Sequence, residues 1–243
     1  MIKTYGQISA ETLANISLSI GAIKLSPDKP FLWASGYYMP IYNDNRMLLG
    51  SAGHRRLIAD SFMNIITQEG IDFKIIVGTS TAGIPHATTL ADRMDSPLIY
   101  VRDKPKDHGM RNQIEGIDAE KNLERKRVIL IEDLISTGGS SAAAVHAIRQ
   151  ANGTIDDCLS IFNYGLDAAV RMFDGREPFD KEGKLKLETP CNVYSILDYN
   201  TLLEVAKKSG YVNESQIKML QEWRESPLKW GERHGFPKVE KKK

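Results

Sequence analysis

The sequence has little cysteine and lacks any long apolar run. Its 243 residues include two cysteines, Cys158 and Cys191, which lie far apart and outside any CxxC spacing. This pattern argues against a disulfide framework and a structural zinc site, and it favours two free thiols buried in strands. No apolar stretch approaches the roughly 18–20 residues that span a bilayer, and the polar first residues do not resemble a signal peptide. We therefore expect a cytoplasmic protein with no membrane partner.

The sequence also has almost no excess of positive over negative charge. The chain carries 32 Lys and Arg residues against 31 Asp and Glu residues, a formal net charge of +1. A protein that binds a nucleic-acid backbone needs a basic face, and the flanks offer no basic cluster beyond the short run Lys241–Lys243. We therefore expect no nucleic-acid partner.

The sequence does contain an alternation of short apolar runs and helical patterns. The runs are rich in β-branched residues, as buried parallel strands are. They comprise Phe73–Thr79, Pro97–Val101, Arg127–Asp133, Thr154–Asn163 and Cys191–Leu197. Helices are predicted between them, over Ser51–Glu69, Gly83–Met94 and Gly138–Ala151. This order predicts an α/β fold with a central, mostly parallel β-sheet flanked by helices, and with ligand sites at the carboxyl ends of the strands.

The two flanks break this rhythm and divide the chain into three parts. Residues 1–50 are expected to form an N-terminal helix starting near Ser9, followed by a hood segment rich in Gly, Tyr, Pro and Asn. Residues 51–198 are expected to form the α/β core, and residues 199–243 a helical extension with a tail. The helices of the extension are predicted over Asn200–Lys208 and Asn213–Trp223.

The strongest chemical signal is the segment VILIEDLISTGGSS, residues 128–141. An apolar strand brings two carboxylates, Glu132 and Asp133, to its carboxyl end, and a turn rich in Ser, Thr and Gly then opens a helix. The hydroxyls and backbone N–H groups of such a turn can bind a phosphate dianion. The adjacent carboxylates can accept hydrogen bonds from vicinal hydroxyls, or hold Mg²⁺ through water. Together these features indicate a site for a ribose 5-phosphate.

Two other interpretations fit this segment less well. An acidic pair can simply end a strand and glycines can simply form a turn, but here the strand, the pair and the turn follow one another without a gap. A nucleotide P-loop needs Lys and a hydroxyl residue after its second glycine, whereas Gly78–Gly83 is followed by Ile84 and Pro85.

A second signal follows the strand predicted at Pro97–Val101. Residues 102–111 carry a net charge of +2. The cations are Arg102, Lys104, Lys106 and Arg111, with His108 beside them. A proline, a glycine and high polarity predict an exposed, movable loop whose cations suit a polyanion such as a leaving pyrophosphate. A solvated surface loop has a similar composition, but this one follows a strand of the sheet that carries the acidic pair.

These motifs resemble known sequences. Residues 128–141 are similar to the phosphoribosyl-pyrophosphate (PRPP) signature of the type I phosphoribosyltransferases. Further segments, in the same order along nearly the whole chain, narrow the resemblance to the orotate phosphoribosyltransferase family. They are Phe31–Arg46, similar to the family's N-terminal stretch, Gly78–Ala87, similar to its pyrophosphate loop, and Arg102–Gly109 with Ile114–Gly116, similar to its mobile catalytic loop.

The resemblance implies a type I phosphoribosyltransferase fold with a hood formed by the two flanks. It implies a reaction in which ribose 5-phosphate passes from PRPP to orotate, giving orotidine 5′-monophosphate and pyrophosphate. It implies Mg²⁺ as cofactor, held mainly by PRPP and water rather than directly by side chains. It also implies a homodimer in which the mobile loop of one subunit serves the site of its partner.

The resemblance also assigns roles to individual residues. The catalytic groups would be Arg102, Lys106, His108 and Asp133. PRPP would be bound by Arg102, Lys106, His108, Glu132, Asp133, Leu134, Ile135, Ser136, Thr137, Gly138, Gly139 and Ser140. Orotate would be contacted by Ser35, Gly36 and Ser136.

The chain departs from the family pattern at three places. Asp103 stands where the family often has Lys after the loop Arg, and Lys104 is the nearest replacement. Ala82 stands where some members have Lys in the pyrophosphate loop. Asn163 and Tyr164 stand where some have an Arg against the orotate ring. These differences leave two alternatives open, a phosphoribosyltransferase for another base and a PRPP-binding regulator without catalysis.

Overall fold

The computed structural model describes residues 2–103, 113–117, 122–175, 187 and 189–240. Lys106 and His108, two of the predicted catalytic residues, lie outside these ranges. Along the described residues, no helix is both long and apolar enough to cross a membrane.

The described residues form eleven strands. They are β1 (Ile2–Thr4), β2 (Ile23–Leu25), β3 (Phe31–Leu32), β4 (Tyr38–Met39), β5 (Ile41–Asn43), β6 (Ile75–Thr79), β7 (Leu98–Val101), β8 (Ile114–Glu115), β9 (Arg127–Ile135), β10 (Thr154–Asn163) and β11 (Asn192–Asp198). Seven of them build the central sheet in the order β1-β11-β10-β9-β6-β7-β8. All neighbours in this sheet run parallel except β7 and β8. Helices cover both faces of such a sheet, which explains why every residue of β6 is buried.

The described part of the chain also forms eight α-helices. They are α1 (Gln7–Ser19), α2 (Ala52–Glu69), α3 (Gly83–Met94), α4 (Gly139–Gln150), α5 (Asp167–Phe173), α6 (Tyr199–Lys208), α7 (Glu214–Glu225) and α8 (Pro227–Arg233). Local chemistry sets several ends: α2 stops at Gly70, which has a φ of +63°, and α7 starts at a capping box of Asn213 and Gln216. Because α3 and α4 directly follow β6 and β9, their N-termini lie at the carboxyl edge of the sheet.

The hood segment (residues 23–50) lies beside this edge. In it β2 pairs with β5 and β3 pairs with β4, both antiparallel, and a 3₁₀ helix at Asn45–Gly50 leads into α2. Trp33 Nε1 donates to the Ile41 carbonyl at 3.0 Å, and the Trp223 ring of α7 lies edge-on to Trp33. The helix α7 therefore packs against the hood segment.

The alternation of side chains along β9 shows how both faces of the sheet are buried. Val128 and Leu130 pack in a core cluster with apolar residues of α4. Ile129 and Ile131 pack in the larger cluster, which includes residues of α1, α2, α3 and the hood. This alternation does not continue to the end of the strand, since Leu134 packs against the larger cluster and Ile135 belongs to the cluster of α4.

The predicted α/β fold is confirmed in detail. The five predicted strands and three core helices are present, with shifts of up to two residues at their ends. Cys158 and Cys191 are free and buried, as predicted. The first helix is also present, and it begins at Gln7, two residues before the predicted start near Ser9, because Gly6, with a φ of 72°, turns the chain from β1 into the helix. The three-part division stays a prediction.

Candidate active site

The turn between β9 and α4, residues 136–140, is called here the β9–α4 turn. Gly138 is the N-cap of α4 and has a φ of +84°. A β-carbon at Gly138 would lie 3.0 Å from Phe173 Cε2, so both the backbone conformation and the available space require glycine. The first N–H groups of α4 therefore open into this turn, where an anion also meets the positive end of the helix dipole.

Two cavities border the β9–α4 turn and bring together residues from distant parts of the sequence. The larger, of about 460 Å³, is lined among others by Trp33, Ser35, Met39, Ser136, Thr137, Arg171 and Trp223. The smaller, of about 280 Å³, is lined among others by Thr79, Ser80, Arg102, Gly139 and Ser140. The structure thus places predicted orotate-binding and PRPP-binding residues on cavities that share one turn.

Glu132 lies in the interior, 6% exposed. Its Oε1 accepts from Thr79 Oγ1 at 2.7 Å and from the Asp133 N–H at 3.1 Å, and its Oε2 accepts from Ser141 Oγ at 2.8 Å. Burial raises the pKa of the Glu132 carboxyl, the neighbouring Asp133 charge adds to the rise, and the two hydroxyl donors oppose it. Both oxygens are thus engaged by groups of the chain itself.

Asp133 is only partly buried and lies under the hood. Asn45, 1% exposed, donates from Nδ2 to the Asp133 main-chain carbonyl at 2.7 Å and fixes the hood to this point of β9. Burial raises the pKa of the Asp133 carboxyl, while hydrogen bonds and the positive charge of Arg46 oppose the rise. Arg46 itself is paired bidentately with Asp44, at 2.6 and 2.9 Å.

Arg102 lies at the end of β7, where the chain leaves the sheet. Its N–H donates to the Gln113 carbonyl at 2.9 Å, and Gln113 Nε2 donates to the Arg102 carbonyl at 2.7 Å. Arg102 Nη1 contacts Glu115 Oε1 at 3.2 Å. These contacts join the two ends of the predicted catalytic loop and hold Arg102 on the smaller cavity.

Ser35 and Gly36 lie in the tight turn between β3 and β4. The Gly36 N–H donates to the Trp33 carbonyl at 2.9 Å, and the Gly36 carbonyl accepts from the Val239 N–H at 2.9 Å. Lys238 Nζ lies 4.7 Å from the centroid of the Tyr37 ring. The carboxyl-terminal tail (residues 236–240) is therefore docked on the predicted orotate-binding turn.

Leu134 and Ile135, which the resemblance assigned to PRPP, have apolar side chains packed against the core clusters. The Ile135 carbonyl accepts from the Tyr164 N–H at 3.1 Å. Only the main-chain atoms of these two residues are therefore available to contact PRPP.

His86 is buried in α3, within the segment Gly78–Ala87 predicted as the pyrophosphate loop. Burial lowers its pKa to about 4, so the imidazole is neutral at pH 7. His86 therefore supplies no positive charge to a bound anion at that pH.

Three residues that contact the acidic pair were not singled out from the sequence. Thr79, Ser141 and Asn45 all donate side-chain hydrogen bonds to Glu132 or Asp133. Thr79 and Ser141 lie within the quoted motifs, residues 78–87 and 128–141. The available signal was a hydroxyl side chain near the end of a predicted strand or the start of a predicted helix. Asn45 is 88 residues from its partner, and no local pattern connects them.

Comparisons with known proteins identify the family of the chain. Residues 47–162 match the family model of the phosphoribosyl transferase domain. The curated orotate phosphoribosyltransferase of Halalkalibacterium halodurans is 42% identical over 219 residues, covering 89% of this chain and 95% of the relative. That of Bacillus cereus is 44% identical over 216 residues, covering 88% and 94%. The crystal structure of orotate phosphoribosyltransferase from Aeropyrum pernix superimposes with a TM-score of 0.63 at 28% identity, covering 83% of this chain and 99% of that one. The identity extends over nearly the full length of these relatives, and the chain therefore belongs to the orotate phosphoribosyltransferase family.

Proposed function

We propose that the β9–α4 turn holds the 5-phosphate of PRPP while the chain transfers ribose 5-phosphate from PRPP to orotate. The observation that carries this placement is the position of the turn beside two cavities. PRPP loses pyrophosphate from one side of ribose carbon C1 and receives the base on the other, so the reaction needs two compartments at one sugar. The hydroxyls and N–H groups of Ser136–Ser140 suit a phosphate dianion between them.

Asp133 is proposed to accept hydrogen bonds from the ribose hydroxyls. Asp133 is partly exposed and lies two residues before the end of the strand that leads into the turn. A charged acceptor makes stronger hydrogen bonds to a diol than a neutral one. It also favours the positive charge that develops on the ribosyl ring as the leaving group departs.

The smaller cavity is proposed to take the pyrophosphate. Departure of pyrophosphate puts negative charge on its oxygens, and nearby cations and N–H groups stabilise that charge. Arg102 and Ser80 line this cavity together with Gly139 and Ser140. Lys106 and His108 lie outside the described residues, and we retain them as proposed cations for the same leaving group on the strength of the resemblance.

The larger cavity is proposed to take orotate, with Ser35, Gly36 and Ser136 near the base. The carboxylate of orotate needs a cation, and Arg171 and Arg224 line this cavity. Arg171 belongs to α5, which packs directly on Gly138 of the turn, and we therefore assign the carboxylate to Arg171.

Mg²⁺ is proposed to arrive with PRPP. Among the residues that the structure describes, no group of three or more His, Cys, Asp or Glu side chains is arranged to hold a metal. The proposal therefore assigns the ligands to PRPP and water, with Asp133 holding one of those waters, since Mg²⁺ retains several waters in most sites. When bound, Mg²⁺ neutralises charge on the pyrophosphate oxygens.

A homodimer with a shared loop is proposed as the assembly. Supporting it, β8 is an edge strand of the central sheet, and residues 104–112 connect β7 to that edge, where a second subunit can approach. A two-fold arrangement then makes two equivalent sites, each with Lys106 from one chain and Asp133 from the other.

A panel of bases tests the proposed function. With PRPP and Mg²⁺, we expect the protein to consume orotate and to leave uracil, hypoxanthine, guanine and adenine unreacted. A site built around a carboxylate loses that ion pair when any of the other bases takes its place. Consumption of a purine would identify an enzyme for another base. Tight PRPP binding without consumption of any base would identify a regulator.

A further inference from the structure

The proposed sites of the two substrates are carried by different parts of the chain. Trp33, Ser35 and Met39 of the hood segment line the larger cavity, where the base is proposed to lie. Asp133, on β9 of the central sheet, is proposed to bind the ribose hydroxyls. The reaction joins N1 of orotate to C1 of the ribose, so its rate depends on how the hood segment is placed relative to β9.

Asn45 joins these two parts directly. It is the first residue of the 3₁₀ helix that ends the hood segment, and it is 1% exposed. Its Nδ2 donates to the main-chain carbonyl of Asp133 at 2.7 Å. Ile41 and Leu48 of the hood segment also pack in the larger core cluster, but apolar packing is non-directional. The Asn45 hydrogen bond is directional, and it therefore fixes a position as well as a contact.

The residues beside Asn45 hold its backbone in place. The Asp44 N–H donates to the Ala22 carbonyl at 2.7 Å. The Asp44 carboxylate accepts from the Arg46 N–H at 3.2 Å and also pairs with the Arg46 guanidinium, so the start of the 3₁₀ helix is capped. Asn45 therefore presents its amide to β9 from a backbone that is already ordered.

The acceptor of this hydrogen bond lies beyond the pairing of β9 with β6. That pairing reaches only Ile131, whereas the pairing of β9 with β10 continues to Ile135. Asp133 thus has a paired strand on one side of β9 only. Side chains supply further contacts to its main chain: the Asp133 N–H donates to Glu132 Oε1 at 3.1 Å, and the carbonyl accepts from Asn45.

We propose that Asn45 is a positioning residue that aligns the hood segment with Asp133, and thereby the base with C1 of the ribose. The inference rests on the proposed function, because it takes orotate to lie in the larger cavity and the ribose to lie at Asp133. Asn45 is too deeply buried to contact either substrate. Its effect is preorganisation, since the hood segment is held in register with β9 before the substrates bind.

Asn45→Ala tests this role, because it removes the amide donor. We expect kcat to fall at least about tenfold, since a misplacement of about 1 Å can cost about a hundredfold. The KM for orotate should rise, because the hood segment and the β9–α4 turn both line the larger cavity. Binding of PRPP with Mg²⁺, measured by calorimetry without orotate, should stay within about threefold of the wild type, because the turn and the Asp133 carboxylate remain.

Asn192→Ala is the matched control. Asn192 also donates a hydrogen bond between distant residues, from its Nδ2 to Asp157 Oδ1 at 3.1 Å. It is the first residue of β11, at the end of the parallel strands opposite the cavities. We expect both alanine variants to unfold at a lower temperature than the wild type, but Asn192→Ala to keep the wild-type kcat and KM values. Thermal unfolding shows whether each variant folds, and Asn45→Ser, a smaller change whose hydroxyl is too short to reach the carbonyl, serves if Asn45→Ala does not.

Three results would overturn the positioning role. An Asn45→Ala protein with lower thermal stability but with the wild-type kcat and KM for orotate would show that Asn45 acts on stability alone. A loss of PRPP binding as large as the loss of kcat would show that Asn45 acts on the ribose site. An equal loss of kcat in Asn192→Ala would trace the effect to general destabilisation. In all three cases a wild type that converts orotate leaves the proposed function standing, whereas a wild type that consumes no orotate would overturn that function and this inference with it.

Discussion

Gly36→Ala should lower the free energy of unfolding by more than the cost of placing alanine in a left-handed conformation, because the tail of the chain lies against Gly36. The residue has a φ of +84°, and an added β-carbon would overlap the Val239 carbonyl oxygen. Gly210 is the matched control: its φ is +70°, and nothing lies within 4 Å of an added β-carbon. Alanine at either position incurs the left-handed strain, but only at Gly36 does it displace the tail.

The magnitudes follow from the contacts. A left-handed non-glycine residue costs about 1–2 kcal/mol, and we expect this loss alone for Gly210→Ala. Gly36→Ala also loses the Val239 N–H hydrogen bond, worth about 1 kcal/mol, and the contact of Lys238 with the Tyr37 ring, worth about 0.5–1 kcal/mol. The expected loss of unfolding free energy for Gly36→Ala is therefore about 3 kcal/mol.

Urea unfolding of four proteins measures the contribution of the tail: the full chain and a chain that ends at Pro237, each with and without Gly36→Ala. In a chain that ends at Pro237, the tail contacts of Gly36 are already gone, so Gly36→Ala should cost no more than Gly210→Ala. The same truncation should raise the KM for orotate with less effect on the KM for PRPP, since it loosens the turn that carries Ser35. Equal costs of Gly36→Ala in the full and shortened chains would refute the reasoning.

Three further predictions concern assembly, pH and the base. If Lys106→Ala and Asp133→Ala subunits exchange freely, about half of the dimers are mixed and have one intact site, so about a quarter of full activity should return; no recovery after confirmed exchange would rule out a shared loop. Between about pH 6.5 and pH 4 the folded protein binds fewer protons at His86 than the unfolded chain does, so this group makes stability fall as the pH falls. Urea unfolding at pH 7 and at pH 5 tests this. Between these two pH values the free energy of unfolding should fall by about 2 kcal/mol less in His86→Gln than in the wild type. An equal fall in both proteins would contradict a buried neutral imidazole. Arg171→Ala should raise the KM for orotate at least tenfold and leave the KM for PRPP unchanged, whereas a larger effect of Arg224→Ala would move the carboxylate to that residue.

Most of the central fold was predictable because its signals are local. Runs of β-branched residues bounded by glycine and polar turns predicted the strands β6, β7, β9, β10 and β11 to within two residues. The strand β1 was not predicted, because Ile2–Thr4 is three residues long and acquires its structure by pairing with β11 at the sheet edge. A pairing between residues nearly 200 positions apart leaves no periodicity in the sequence.

The candidate site was predictable where chemistry is consecutive in sequence and unpredictable where it is assembled in space. The β9–α4 turn carries its hydroxyls and glycines in one run. The hydrogen bond of Asn45 to Asp133 and the docking of Val239 on Gly36 join residues far apart in the chain, and nothing in their local sequence indicates a partner. The β9–α4 turn could therefore be identified from the sequence as a candidate anion site, whereas the contacts between distant residues around it could not.

The acidic pair shows what a motif leaves open. Glu132 and Asp133 are adjacent in sequence, and the resemblance assigns both to PRPP. The two carboxyls lie so close together that each shifts the pKa of the other. Glu132 is 6% exposed and accepts hydrogen bonds from the hydroxyls of Thr79 and Ser141, whereas Asp133 stays partly exposed. The motif identifies the pair, but the different burial of its two members depends on hydroxyls from β6 and α4, which only the fold brings to this strand.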